Sequence, residues 1–235
     1  MARWHSKTSS EFAWSGEIAN LKAKQEVAER IAQQAQQGDI IGFGSGSTSL
    51  VAILALAARI KAEQLSCIAI PTSEEVELTC SSLGIPTTSL LAARPDWAFD
   101  GADEVDPNGD VLKGRGGAMF REKLVFRSAT RRYILVDSSK LVPALGQKFP
   151  IPVEVFPSAT HLVEASLLSL GAAAVQLRKA TGKDGPVVTE SGNVILDARF
   201  PQIAPGLEKE IKAITGVIES GLFQGFSPEV LIAQD

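Results

Sequence analysis

Residues 38–49 read GDIIGFGSGSTS. Gly38 and Asp39 suit a turn, Ile40 to Phe43 form an apolar run of strand length, and the glycine- and hydroxyl-rich loop that follows leads into a helix predicted over Ser47 to Gln64. Upstream, the apolar spacing predicts a helix from Leu21 to about Gln37. The segment is therefore the front of a βα unit. Glycines let a backbone approach an anion, a helix amino terminus presents unpaired N–H groups, and Ser45, Ser47 and Thr48 add hydroxyl donors, so phosphate is the natural guest. The P-loop pattern fails because Ser47, not lysine, follows Gly46, and the dinucleotide fingerprint fails because Ser49 stands at its third glycine position. The same residues also suit a tight turn with an ordinary serine cap.

Downstream the alternation continues. A strand is predicted at Ser66 to Pro71, a helix at Ser73 to Leu83, strands near Thr87 to Leu91 and Asp96 to Asp100, a helix from Ala118 to Thr130 and a strand from Tyr133 to Val136. Strands alternating with helices imply an α/β fold with a mainly parallel sheet covered by helices on both faces and functional loops at the carboxyl ends of its strands. Around Gly146 to Pro157 prolines cluster. A smaller α+β domain is expected over 146–218, with helices at Ser158 to Leu170 and Ile203 to Ile214 and strands at Ile151 to Phe156, Ala174 to Arg178 and Val194 to Asp197. Residues 1–145 and 219–235 are assigned to the first domain, the closing segments Gly216 to Phe223 and Val230 to Ala233 returning to its sheet. Residues 1–20 read as a loosely held leader whose Trp4, Phe12 and Trp14 could anchor on the body or on a second subunit.

Composition narrows the function classes. The chain has 235 residues, 45% of them hydrophobic and 21% charged, enough for a sizeable core. Lys plus Arg total 23 against 27 Asp plus Glu, which offers no electrostatic footprint for nucleic acid. The longest apolar run, Leu50 to Ala58, is far short of the roughly 20 residues a membrane helix needs. Cys67 and Cys80 have neither a metal-binding nor a scaffold spacing, and CIAI marks Cys67 as a buried thiol; a reducing, cytoplasmic setting fits. His5 and His161 lie far apart, so neither a histidine-based zinc site nor a serine–histidine triad is expected.

Two more loops carry chemistry. DGADEVDPNGD, Asp100 to Asp110, follows apolar Trp97 to Phe99 and so sits where α/β proteins keep their sites. Asp100 and Asp103 are the candidates there. Glu104, Asp106 and Asp110 read as solvated, and the spacing departs from an EF-hand. In KGRGGAMFREK, Lys113 to Lys123, a glycine turn opens a helix on which Glu122 falls on the side of Ala118, Met119, Val125 and Phe126, with Arg121 and Lys123 flanking. Burial would raise that carboxyl's pKa, while the helix terminus and Lys113 would lower it. A desolvated carboxylate is a strong base; equally, it could be salt-bridged in a subunit interface.

These blocks, with ILVDSSK at Ile134 to Lys140 and FPIPVEVFP at Phe149 to Pro157, resemble ribose-5-phosphate isomerase type A from about Leu21 to the C-terminus. The resemblance implies a Rossmann-like domain with a smaller α+β domain. It also implies cofactor-free, metal-independent interconversion of ribose 5-phosphate and ribulose 5-phosphate in a homodimer or homotetramer. By similarity Glu122 is the base, Lys113 and the backbone of Gly114, Arg115, Gly116 and Gly117 stabilise the oxyanion, and Asp100 assists ring opening or shuttles the hydroxyl proton. Asp103 holds substrate hydroxyls. Ser45, Gly46, Ser47, Thr48, Gly101, Ala102, Lys140 and, on one residue's match, Lys24 complete the binding set. Ser45 replaces a more usual threonine, and Arg115 replaces a frequent glycine; its cation could reach substrate, Asp103 or solvent. Two rivals are a non-enzymatic sugar-phosphate sensor, for which no basic helix-turn-helix precedes Gly38, and a CoA transferase, for which the chain is short.

Overall fold

The computed structural model describes residues 17–234. Among them the chain runs α1 (Leu21–Ala32), β1 (Ile40–Phe43), α2 (Gly46–Glu63), β2 (Ile68–Pro71), α3 (Glu74–Leu83), β3 (Trp97–Gly101), β4 (Glu104–Val105), β5 (Val111–Leu112), α4 (Met119–Ser128) and β6 (Arg131–Val136). After these come β7 (Ile151–Val155), α5 (Thr160–Ser169), β8 (Ala174–Leu177), β9 (Val194–Arg199), α6 (Leu207–Lys212), β10 (Val217–Ser220), β11 (Leu222–Phe223) and β12 (Glu229–Ile232). No helix of the described residues is long and apolar enough to cross a membrane. The leader's Trp4, Phe12 and Trp14 lie outside the described residues.

The chain divides into two compact units. The first holds the chain up to Gly101, Ser128–Asp137 and Val230 onward. Its sheet has the order β12-β6-β3-β1-β2, flanked by helices, with β1/β2, β1/β3 and β3/β6 parallel. Successive strands leave β1 on opposite sides, so the carboxyl ends of β1 and β3 form the switch point where such sheets bind ligands. Phe43, Trp97, Phe99 and Tyr133 fill the core; Phe43 and Phe99 lie 5.3 Å apart, and Trp97 meets Tyr133 edge-on at 5.8 Å. Ser73 caps α3 by accepting from the Val76 amide at 3.2 Å.

The second unit holds Ala102–Arg127 and Ser138–Glu229. An antiparallel sheet of order β10-β7-β9-β8 packs with α5 and α6 around Val153, Val155, Val163, Leu167, Leu196 and Ile211, and a small sheet runs β11-β5-β4. The expected partition put 102–127 with the first domain. These residues group with the second, where β5 pairs with β11 and Lys123 reaches Glu208 and Glu219.

Several expectations need correction. Of the closing segments only β12 joins the first sheet; β10 and β11 pair with β7 and β5. No strand forms at Thr87 to Leu91, where one bridge to Ala69 precedes a turn that exposes Leu91 entirely. The last helix covers only Leu207–Lys212, because Pro205 and a left-handed Gly206 bar its extension toward Ile203. The first helix ends at Ala32 instead of near Gln37.

Candidate active site

In the first unit the site residues gather where β1 and β3 end. The Gly44 amide donates to Phe99 O at 2.9 Å, and a Cβ at Gly44 would fall 2.3 Å from the Asp100 carboxylate, so only glycine lets this loop pass the acid. Asp100 is 1% exposed; its Oδ1 accepts from Ser49 Oγ at 3.1 Å and from the Gly101 amide at 2.8 Å. Ser45 precedes α2 in an extended conformation, Gly46, Ser47 and Thr48 form its first turn, and Thr48 lies against Gly101. Lys24, 9% exposed on α1, donates from Nζ to Ser47 Oγ at 2.8 Å. A cation thus meets a hydroxyl in the first turn of a helix, an arrangement suited to an anion.

In the second unit the turn after β5 opens α4. Gly114 takes φ +102° against the Met119 side chain, conditions that exclude a larger residue. Met119, Glu122, Val125 and Phe126 share the buried face of α4, as the spacing predicts. The Glu122 carboxylate contacts the Lys113 ammonium, and each residue is 4% exposed. Asp103 is half-buried, and desolvation pushes its carboxyl above the ordinary range; Lys113, Arg115 and Lys140 pull against that, while Glu122 reinforces it. Lys140 is half-buried in a short 3-10 turn, Ser138–Lys140. Arg115, whose side chain the sequence left undirected, lays its guanidinium over the Phe149 ring, 4.8 Å from its centroid.

Lys24, Ser45 to Thr48, Asp100 and Gly101 therefore meet in one unit, and Asp103, Lys113 to Gly116, Glu122 and Lys140 belong to the other. The backbone passes from the first set to the second at Ala102. Glu104 is not solvated: it is wholly buried and accepts from the amides of Gly146, Lys148 and Phe149 at 2.6–2.8 Å, which ties a proline-flanked loop to β4. Asp106 accepts from the Asn108 and Asp110 amides in a turn, and Asp110 accepts from the Gly225 amide.

Four residues escaped the sequence reading. Ser49, considered only as a failed glycine position, anchors Asp100. Lys123, expected on a flank, is 4% exposed and donates to Glu208, Glu219 and Leu222 O. Phe223 lies under both the Lys113 and Lys123 ammonium groups, at 5.5 and 4.7 Å from its centroid. Arg178 donates to the carbonyls of Gly114 and Arg115. The last two partnerships span more than sixty residues of sequence, beyond any local pattern.

The family model for ribose 5-phosphate isomerase A (phosphoriboisomerase A) matches residues 68–235. A ribose-5-phosphate isomerase A of Synechococcus sp. (strain WH7803) is 47% identical over 216 residues, 90% of each chain. The solved ribose 5-phosphate isomerase A from Methanocaldococcus jannaschii matches with a TM-score of 0.88 at 40% identity, covering 92% of this chain and 96% of its own. A D-ribose-5-phosphate isomerase in complex with phospho-erythronic acid matches with a TM-score of 0.86 at 37% identity, covering 90% and 94%. Fold and relatives together define an enzyme of the aldose–ketose isomerase class. The chain belongs to the ribose-5-phosphate isomerase A family.

Proposed function

We propose that this isomerase interconverts D-ribose 5-phosphate and D-ribulose 5-phosphate without cofactor or metal, through an enediolate formed by Glu122. Glu122 takes the C2 proton of the open-chain aldehyde; the C–H electron pair becomes the C1–C2 double bond and the carbonyl pair moves onto O1. Lys113 and the amides of the Gly114 to Gly117 turn stabilise the negative oxygen. Glu122 then returns its proton to C1 while O2 becomes the carbonyl and its hydroxyl proton passes to O1. Asp100 serves ring opening and that hydroxyl transfer, and Asp103 holds substrate hydroxyls. The phosphate is read as the guest of Lys24 and the Ser45 to Thr48 loop, with Lys140 as a further cation on the substrate.

One observation carries this reading: a carboxylate and an ammonium, each 4% exposed, in contact where a glycine turn opens a helix. Such a desolvated acid is a costly feature that a binding module for intact sugar phosphate would not need. Incubating the enzyme, treated with a chelator, with D-ribose 5-phosphate and following ketose formation tests the proposal. Ketose accumulation to a constant ratio, reached also from D-ribulose 5-phosphate, is expected. Binding without turnover would favour a sensor instead.

A further inference from the structure

The turn that supplies amides to the proposed oxyanion site is held from behind. Arg178 Nη1 donates to Gly114 O at 3.1 Å and to Arg115 O at 2.8 Å. Its other edge grips Asp197: Nε donates to Oδ2 at 2.8 Å and Nη2 to Oδ1. Arg178 follows directly on β8, its amide donating to Ile195 O at 2.9 Å and its carbonyl accepting from the Val187 amide at 2.9 Å, while Asp197 lies within β9. The Arg178 side chain is 16% exposed. Both the cation and its counter-ion therefore come from backbone fixed by a sheet.

In a trans peptide the carbonyl and the following N–H point in opposite directions. Drawing the carbonyls of Gly114 and Arg115 toward one guanidinium sends the amides of Arg115 and Gly116 to the opposite side. Neither amide donates to any described residue. The Gly117 carbonyl is engaged too, accepting from the Glu190 amide at 3.3 Å. Two adjacent donors thus share one direction before any ligand arrives, which is what stabilisation of a developing oxyanion requires.

We propose that Arg178, clamped by Asp197, is a positioning residue that fixes the Arg115 and Gly116 amides for the enediolate oxygen. The proposal rests on the reading of the site given under Proposed function and goes beyond it by assigning the orientation of the turn to a distant side chain. Arg178 touches no reacting atom. Its planar fork spans two carbonyls and a carboxylate at once, which the single ammonium of lysine cannot do.

The test compares R178M, R178K and D197N with the parent enzyme and with E122Q, measuring kcat, KM for ribose 5-phosphate, and inhibition by phospho-erythronic acid and by inorganic phosphate. The first inhibitor carries a carboxylate next to a phosphorylated chain, so it reports on the amides; the second reports on the phosphate seat alone. R178M should lower kcat by roughly ten- to a hundredfold with KM changed less than about threefold, given the hundredfold or greater cost of losing an oxyanion donor outright. Inhibition by phospho-erythronic acid should weaken by a similar factor while that by phosphate holds. R178K should not restore kcat, and D197N should show a smaller loss with the same pattern. A kcat within twofold of the parent in folded R178M, recovery in R178K, or a loss confined to KM would overturn the proposal. Should R178M fail to fold, D197N decides, an unchanged kcat there counting against the brace. Activity in E122Q would overturn the base assignment itself, whereas an inert E122Q beside a fully active R178M would overturn the brace alone.

Discussion

Ser49 Oγ donates to Asp100 Oδ1 at 3.1 Å, and the two residues are 0% and 1% exposed. A hydrogen bond to a buried charged group contributes about 1.5–3 kcal/mol, and leaving the acceptor short of a donor costs a comparable amount. S49A should therefore lower the melting temperature by several degrees and, if Asp100 handles protons as proposed rather than binding phosphate, lower kcat by several-fold with KM nearly unchanged. Calorimetry and steady-state kinetics check both; parent-like values in the two together would show that Ser49 merely fills space.

Lys24 reaches Ser47 at 2.8 Å across the glycine loop. If the phosphate sits there, K24M and T48A remove binding energy that is the same in ground and transition states, so KM should rise about tenfold while kcat stays within about threefold. An unchanged KM in both variants would move the phosphate elsewhere, toward Lys140.

Glu154 is wholly buried on β7, where Oε1 accepts from Thr189 and Asn193 and Oε2 has no partner among the described residues. Burial, reinforced by nearby Glu219, pushes its carboxyl above the ordinary 4.5. Between the two values the native state holds more protons than the unfolded chain, so the unfolding free energy falls as pH rises there. The contribution is complete below about 4.5 and is lost as pH rises through the native value. E154Q, which keeps an acceptor for Thr189 and Asn193, lacks this loss. Its melting temperature should gain on that of the parent as pH goes from about 4 to about 8; a pH-independent difference would refute the assignment.

Cys67 and Cys80 are 1% and 0% exposed. Burial raises the Cys67 thiol above its usual value and pushes Cys80 up to about 12, so neither forms the reactive thiolate near neutral pH. Iodoacetamide should label neither in the native enzyme and both after unfolding, as mass spectrometry would read out. Rapid native labelling would contradict the burial.

Local features of the chain were the legible ones. The glycine loop before α2, the placement of Glu122 on the buried face of α4 and the parallel β1–β3 core follow from spacing, because period and turn chemistry are written in adjacent residues. Glu104 shows the opposite case. Its acidic neighbours suggest solvent, yet three amides from residues 146–149 satisfy it. The two-residue strand β11 pairs with β5 across more than a hundred residues, and nothing in LF announces that. Arg178 and Lys123 escaped for the same reason: each is a surface-type residue whose charge is matched by partners from distant sequence.

Glu122 and its contact with Lys113 bear the central claim. The most direct measurement is the turnover and substrate affinity of E122Q, a near-isosteric change that removes the proposed base and keeps the volume. Turnover should fall roughly a hundredfold or more while ribose 5-phosphate binds within a few-fold of the parent affinity. Turnover within tenfold of the parent in the folded variant would contradict the account.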